Sequence, residues 1–144
     1  RASMKKMINT AFVYMILGLA AGVFYREYTK LSGFEGLTVL KGLHPHLLAL
    51  GMGMFLILAL FVKALPGLQQ EKSFGWFYGL YNAGLAGSVI MMIVRGILQV
   101  QGTMLSAGMN AAVSGIAGVC HIVLAIGLFC LFAGLRKCAG KIRD

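Results

Sequence analysis

Four apolar runs, each of membrane-crossing length, leave this chain few folding options: residues 7–26, 37–64, 74–100 and 106–135 are separated only by short polar breaks. In hydrocarbon every backbone N–H and C=O must be satisfied within its own segment, and about 20 apolar residues suffice for one helical crossing. Four such helices use up the 144 residues. The expectation is an all-α, integral membrane four-helix bundle that forms a single domain over residues 1–144, with both termini on the same side.

Composition agrees with the runs. The chain is 59% hydrophobic and 12% charged, with mean hydropathy +0.84, whereas soluble domains carry about 25% charged residues. The loops are too short to house a soluble catalytic site. A net charge of +9 would suit nucleic acid, but the basic residues flank apolar segments. They therefore report topology, and no nucleic-acid partner is expected. Arg1, Lys5, Lys6, Lys63, Lys72, Arg136, Lys137, Lys141 and Arg143 fall on one side, against Arg26, Lys30 and Lys41 on the other, with Arg95 toward that second side. By the positive-inside rule both termini face the cytoplasm, the expected location being a bacterial inner (cytoplasmic) membrane.

Arg1-Ala-Ser precedes Met4, a natural-looking start, so the first three residues read as an expression remnant. Lys5, Lys6 and the run Met7–Tyr25, with Leu19-Ala20-Ala21-Gly22 as a cleavage neighbourhood, also have the shape of a signal peptide. The run is long enough to span a bilayer and is read here as the first helix. Gly18 and Gly22 offer it a small contact surface. Between the second and third helices Pro66-Gly67 ends one helix and Ser73 is the expected N-cap of the next. Gly75/Gly79, Gly84, Gly87, Ala111/Gly115 and Ser114/Gly118 suggest close helix contacts in the second half. Cys120, Cys130 and Cys138 form no CxxC pair and read as small packing residues.

Ionisable residues inside the apolar runs are the candidates for function, because they are costly there without a partner. They are His44 and His46 in the second helix, Arg95 in the third and His121 in the fourth. At 1.5 Å per residue His46 lies about 25 Å above Lys63 and His121 about 22 Å above Arg136, which puts both in one layer of the outer half. Arg95, about 31 Å above Phe74, comes one to two turns further out. At 100° per residue Gly42, His46, Ala49 and Gly53 share a stripe, as do Ser114, Gly118, His121 and Ala125, and as do Tyr81, Gly84, Ser88, Met91 and Arg95. Small residues around histidines leave room for something flat. No carboxylate lies within the runs to pair with Arg95, since Glu27, Glu35, Glu71 and Asp144 fall outside them, so an anion from outside the chain would satisfy it. Haem meets both needs, with an iron that takes axial histidines and two propionates. The alternatives are copper or zinc held by the three histidines, and a ligand-free structural bundle in which they make helix–helix hydrogen bonds. Pro45 removes a helical hydrogen bond, frees the Lys41 carbonyl and kinks the helix. Residues two apart point about 200° from each other, so His44 and His46 address different neighbours.

The run Leu43-His44-Pro45-His46-Leu47 resembles the His-x-His of the haem–copper oxidase catalytic subunit, whose two histidines ligate different haems. That subunit consists of three four-helix arcs, and this chain has the size of one. The resemblance implies a homotrimer binding b-type haem, with His44 or His46 as axial ligands and Arg95 near the propionates. The same run also resembles a family of small uncharacterised bacterial four-helix membrane proteins. The chain has no His-x3-Tyr and no His-His pair for copper, so the resemblance points to a redox or haem-binding protein rather than a complete oxidase. The sequence reading is a haem b protein for electron transfer or haem/gas sensing. His46 with His121 is its preferred ligand pair, and His44 of one subunit with His46 of the next is the second arrangement.

Overall fold

The computed structural model describes residues 2–142, so Arg1, Arg143 and Asp144 from the charge reading lie outside the described residues. Among those described there is no strand. Four helices are long and apolar enough to cross a membrane: α1 (Ala2–Leu31), α2 (Val39–Ala64), α3 (Lys72–Gln101) and α4 (Ala107–Ala139). A 3₁₀ turn, Leu68–Gln70, lies between α2 and α3.

α1 outruns its apolar core because Lys5, Lys6, Arg26, Glu27 and Tyr28 are compatible with helix once they reach the interface. Charge does not stop a helix; backbone geometry does. At Gly33 (φ 63°) the chain turns left-handed, with Phe34 N–H donating to the Thr29 carbonyl and Gly33 N–H to that of Lys30. This is the glycine-terminated closure common at helix ends. Gly102 (φ 67°) ends α3 in the same way, through bonds to Gln99 and Leu98. Ser106 caps α4 by accepting from Met109 N–H. The expected cap at Ser73 is not found, because α3 already begins at Lys72 with Glu71 as its N-cap. Ser73 instead lies against Gly134 of α4.

Two interfaces dominate. Along α1 and α2, Gly18 meets Leu48 and Leu47, Gly22 meets the His44 ring, and Gly51 meets the Tyr14 ring. Along α3 and α4 the backbones come closer still, with Gly84 against Cys120 and Leu124 and Gly127 against Tyr81. Small residues permit this approach, and dispersion replaces the hydrophobic driving force that lipid removes. The expectation fails at Gly75, Gly79, Gly115 and Gly118, where an added Cβ would meet nothing within 4 Å. Those glycines lie on faces turned away from the rest of the chain. The packing of α4 is concentrated on α3, which leaves Ile116, Val119, Ile122, Ile126 and Phe129 exposed along its outer side.

Phe55 centres the core. Tyr14 stacks on it at 5.8 Å between centroids, and Tyr78 and Tyr81 meet it edge-on at 5.8 and 5.9 Å. The hydroxyls of these tyrosines are paired: Tyr14 donates to Asn82 at 2.6 Å, Tyr78 meets Thr10 at 2.8 Å, and Tyr81 donates to the Leu50 carbonyl at 2.8 Å. Tyr81→Phe is expected to cost about 1–2 kcal/mol by orphaning that carbonyl in a dry interior. Denaturation in mixed micelles measures the cost, and an unchanged midpoint would show the bond to be dispensable.

One end of the molecule is tied by charge. Lys137 and Lys141 reach Glu71 at 3.1 and 3.6 Å, and the Lys6 ammonium sits 4.1 Å from the centroid of the Tyr78 ring. The N-terminal part of α1, the turn before α3 and the end of α4 therefore lie together. The hydrogen bond from Lys137, and then the charges of Lys137 and Lys141, hold the Glu71 carboxyl below its ordinary 4.5. A carboxyl with a depressed folded pKa contributes stability above its unfolded value, and loses it as pH falls through the folded one. Glu71→Gln should thus be less stable than the parent near neutrality, with the gap closing in acid below 4.5. Thermal unfolding of both proteins across that range checks the sign.

Candidate functional site

The start of α2 is fastened to α3 before the histidines appear. Thr38 accepts from Leu40 N–H and donates to the Gly96 carbonyl, while Val39 N–H donates to Gln99 Oε1 at 2.8 Å. Val39–Gly42 is a 3₁₀ turn, Leu43–Pro45 a single α turn, and His46–Gly53 a π-helix before regular helix resumes at Met54. Pro45 has no N–H to give the Lys41 carbonyl, and His46 N–H bonds only three residues back, to Leu43. The Gly42 carbonyl is left to accept the His46 imidazole, Nδ1 to O, at 2.7 Å. Further on, Met54 N–H reaches Ala49 five residues back as well as Gly51. π-Helical segments are rare, mostly single turns, and gather at functional sites. Here one runs for eight residues.

This segment corrects the stripe drawn through Gly42, His46, Ala49 and Gly53. A count of 100° per residue does not hold through i→i+5 bonding, and the π segment buries Leu47 and Gly51 while Ala49 is exposed.

His44 and His46 face different helices. His44 turns to α1, its Nδ1 2.8 Å from the Gly18 carbonyl and its ring over Gly22. The His46 ring lies over Gly42, where the Met92 methyl of α3 also comes close. His121 on α4 is exposed and bonds through Nδ1 to the Ala117 carbonyl at 2.7 Å. Its neighbour Cys120 packs on Gly87. Arg95 crosses from α3 to α4, donating to Asn110 Oδ1 at 3.0 Å and Ser114 Oγ at 2.9 Å. Ser114 is two turns from His121 on nearly the same face, about 10 Å along the axis. The guanidinium is thus partly satisfied inside the chain, which the expected external anion did not anticipate. Asn110, one turn from Ser114, extends this polar stripe toward the α3–α4 turn. No carboxylate pairs with the guanidinium, since the ion pairs among the described residues are those of Glu71.

The three imidazoles do not converge. Among the described residues no group of three or more His, Cys, Asp or Glu side chains is close enough to hold a metal ion. What they share is chemistry. A carbonyl oxygen only accepts, so each Nδ1 carries the proton, and Nε2 of the neutral ring keeps its lone pair. Between the two flanking helices, α3 presents Ser88, Met92 and Arg95 at helical spacing. Ser88 is buried, and its hydroxyl is without a hydrogen-bond partner.

A family model described as "Protein of unknown function (DUF2871)" matches residues 4–138. No curated protein and no solved structure matches the chain. The matched span takes in nearly all of α1 and α4 and the whole of α2 and α3, and the chain belongs to this family of uncharacterised proteins.

Proposed function

We propose that this is a multi-pass haem b-binding protein for electron transfer or haem/gas sensing, in which His46 and His121 would hold the iron and Arg95 would meet the propionates. The observation that carries the reading is the common state of the histidines. Nδ1–H is fixed by a backbone carbonyl, which sets the tautomer and ring orientation and leaves Nε2 to bind, the arrangement metal-ligating histidines usually have. The iron would supply one-electron chemistry or gas binding, tuned by its ligands and by burial. The chain's own part is to present two imidazoles, from α2 and α4, which flank α3, each with its Nε2 free to bind. Two of Arg95's five N–H donors are engaged with Asn110 and Ser114, so others remain for a carboxylate.

The resemblance of the His44-Pro45-His46 run to the oxidase subunit, and the flank charges, extend the proposal. In this proposal the Glu71 end, flanked by Lys5, Lys6, Lys63, Lys72, Arg136, Lys137 and Lys141, faces the cytoplasm, and the membrane is the bacterial inner one. The proposed assembly is a homotrimer. His44 faces α1 in its own chain, so it joins the ligand set only if its Nε2 meets His46 of a neighbouring copy. Titration of the haem-free protein with hemin tests the function. Saturable, six-coordinate low-spin uptake is expected. Tight binding of copper or zinc with no hemin uptake would favour the metal reading and overturn this one.

A further inference from the structure

At the end of the molecule opposite Glu71, a cavity of about 410 Å³ opens beside the α3–α4 turn, lined by Arg95, Gln99, Thr103 and Asn110 with apolar walls from Leu98 and Leu105. Its polar groups share one property. The Gln99 side-chain oxygen is engaged by Val39 N–H, and the Asn110 oxygen by Arg95. Those bonds fix the orientation of both amides, because only the oxygen accepts. What each amide has left is its NH₂ group. Arg95 has further N–H donors, and the Thr103 hydroxyl can donate as well. The uncommitted side-chain groups are thus donors around a guanidinium with no carboxylate partner among the described residues. Glu27 and Glu35, the carboxylates nearest this end in sequence, make no ion pair with it.

We propose that this cavity is an oxyanion site for an anionic amphiphile at the membrane surface. The donors would take a phosphate or carboxylate oxygen, and Leu98 and Leu105 the adjoining apolar part. Charge-assisted bonds from a guanidinium and amides are the strong kind. An anionic phospholipid headgroup is one source of the oxyanion. A haem propionate is the other, and only that source rests on the haem reading.

The full-length, haem-free protein in neutral detergent distinguishes them. Native mass spectrometry would measure binding of phosphatidylglycerol, with phosphatidylcholine as the zwitterionic control, and absorbance would measure binding of hemin. Arg95→Gln should weaken phosphatidylglycerol binding by about tenfold or more, as expected for losing a charged hydrogen bond. Arg95→Lys should retain most of it. Thr103→Val, which breaks no hydrogen bond of the fold, should weaken it in the same direction, so the result does not depend on Arg95→Gln folding well. If instead hemin binding alone falls in these variants, the propionate is the source. Unchanged binding of both ligands in Arg95→Gln and Thr103→Val overturns the site. A protein that takes no hemin bears on the haem reading, and the phospholipid measurement then decides the site by itself.

Discussion

His46→Ala is expected to lose low-spin haem binding, with the hemin affinity falling by more than about 100-fold. Removing an outer-shell partner of a ligating histidine typically costs about 10–100-fold, and removing the ligand itself costs more. His121→Ala should leave a five-coordinate, high-spin complex through His46. His44→Ala should leave the low-spin spectrum intact, because its ring is turned to Gly18 and Gly22 on α1. Absorption and electron paramagnetic resonance spectra of the three variants separate the ligand arrangements. A low-spin spectrum kept in His46→Ala and His121→Ala removes the assignment. Loss of that spectrum in His44→Ala with retention in His121→Ala would instead place the haem between two copies, held by His44 of one and His46 of the next.

The second large effect concerns the scaffold. Gly84→Leu is expected to destabilise the protein by about 3 kcal/mol or more, the upper range for overpacking, since what blocks it is main chain rather than a mobile side chain. A Cβ at residue 84 would stand 2.6 Å from Leu124 N and 2.8 Å from Cys120 O. Only a separation of α3 from α4 relieves that, and separation also lengthens the bonds from Arg95 to Asn110 and Ser114. Gly115→Leu is the control, because a Cβ there meets nothing within 4 Å. Detergent-based unfolding of both variants measures the difference. Equal stability of the two would mean that the approach at Gly84 contributes nothing.

Much of the scaffold could be read from the residues. Four long apolar runs, punctuated by Gly33, Pro66-Gly67 and Gly102, leave little alternative to four crossings. Gly18, Gly22, Gly84 and Gly87 were read as close-contact residues, and each meets a neighbour. Gly75 and Gly79 look the same in sequence yet face outward. Their chemistry tells nothing of which side of α3 receives α4, a matter decided by tertiary packing. Apolar length understates α1 at both ends and α4 at its C-terminal end, because a helix continues past its apolar run until a residue such as Gly33 can adopt positive φ, whereas α2 begins inside its run and ends with it.

The candidate site was legible as residue types and depth but less so as contacts. Arg95 finds its partners on α4 about two turns from His121, in keeping with a depth count that needs only the rise per residue. The face of α2 was not legible beyond His46, since stripe arithmetic presumes regular α-helix and Pro45 is followed by eight residues of π-helix. The spacing of His44 and His46 does not by itself fix the direction of His44. The small size of Gly22 settles it, giving the ring a place against α1.

The most direct measurement is the visible absorption spectrum of the full-length protein isolated from its membrane in mild detergent, oxidised and then reduced. A sharp Soret band with the resolved α and β bands of six-coordinate b-type haem after reduction is the expected result. A colourless protein that also stays colourless when hemin is added contradicts the haem assignment outright.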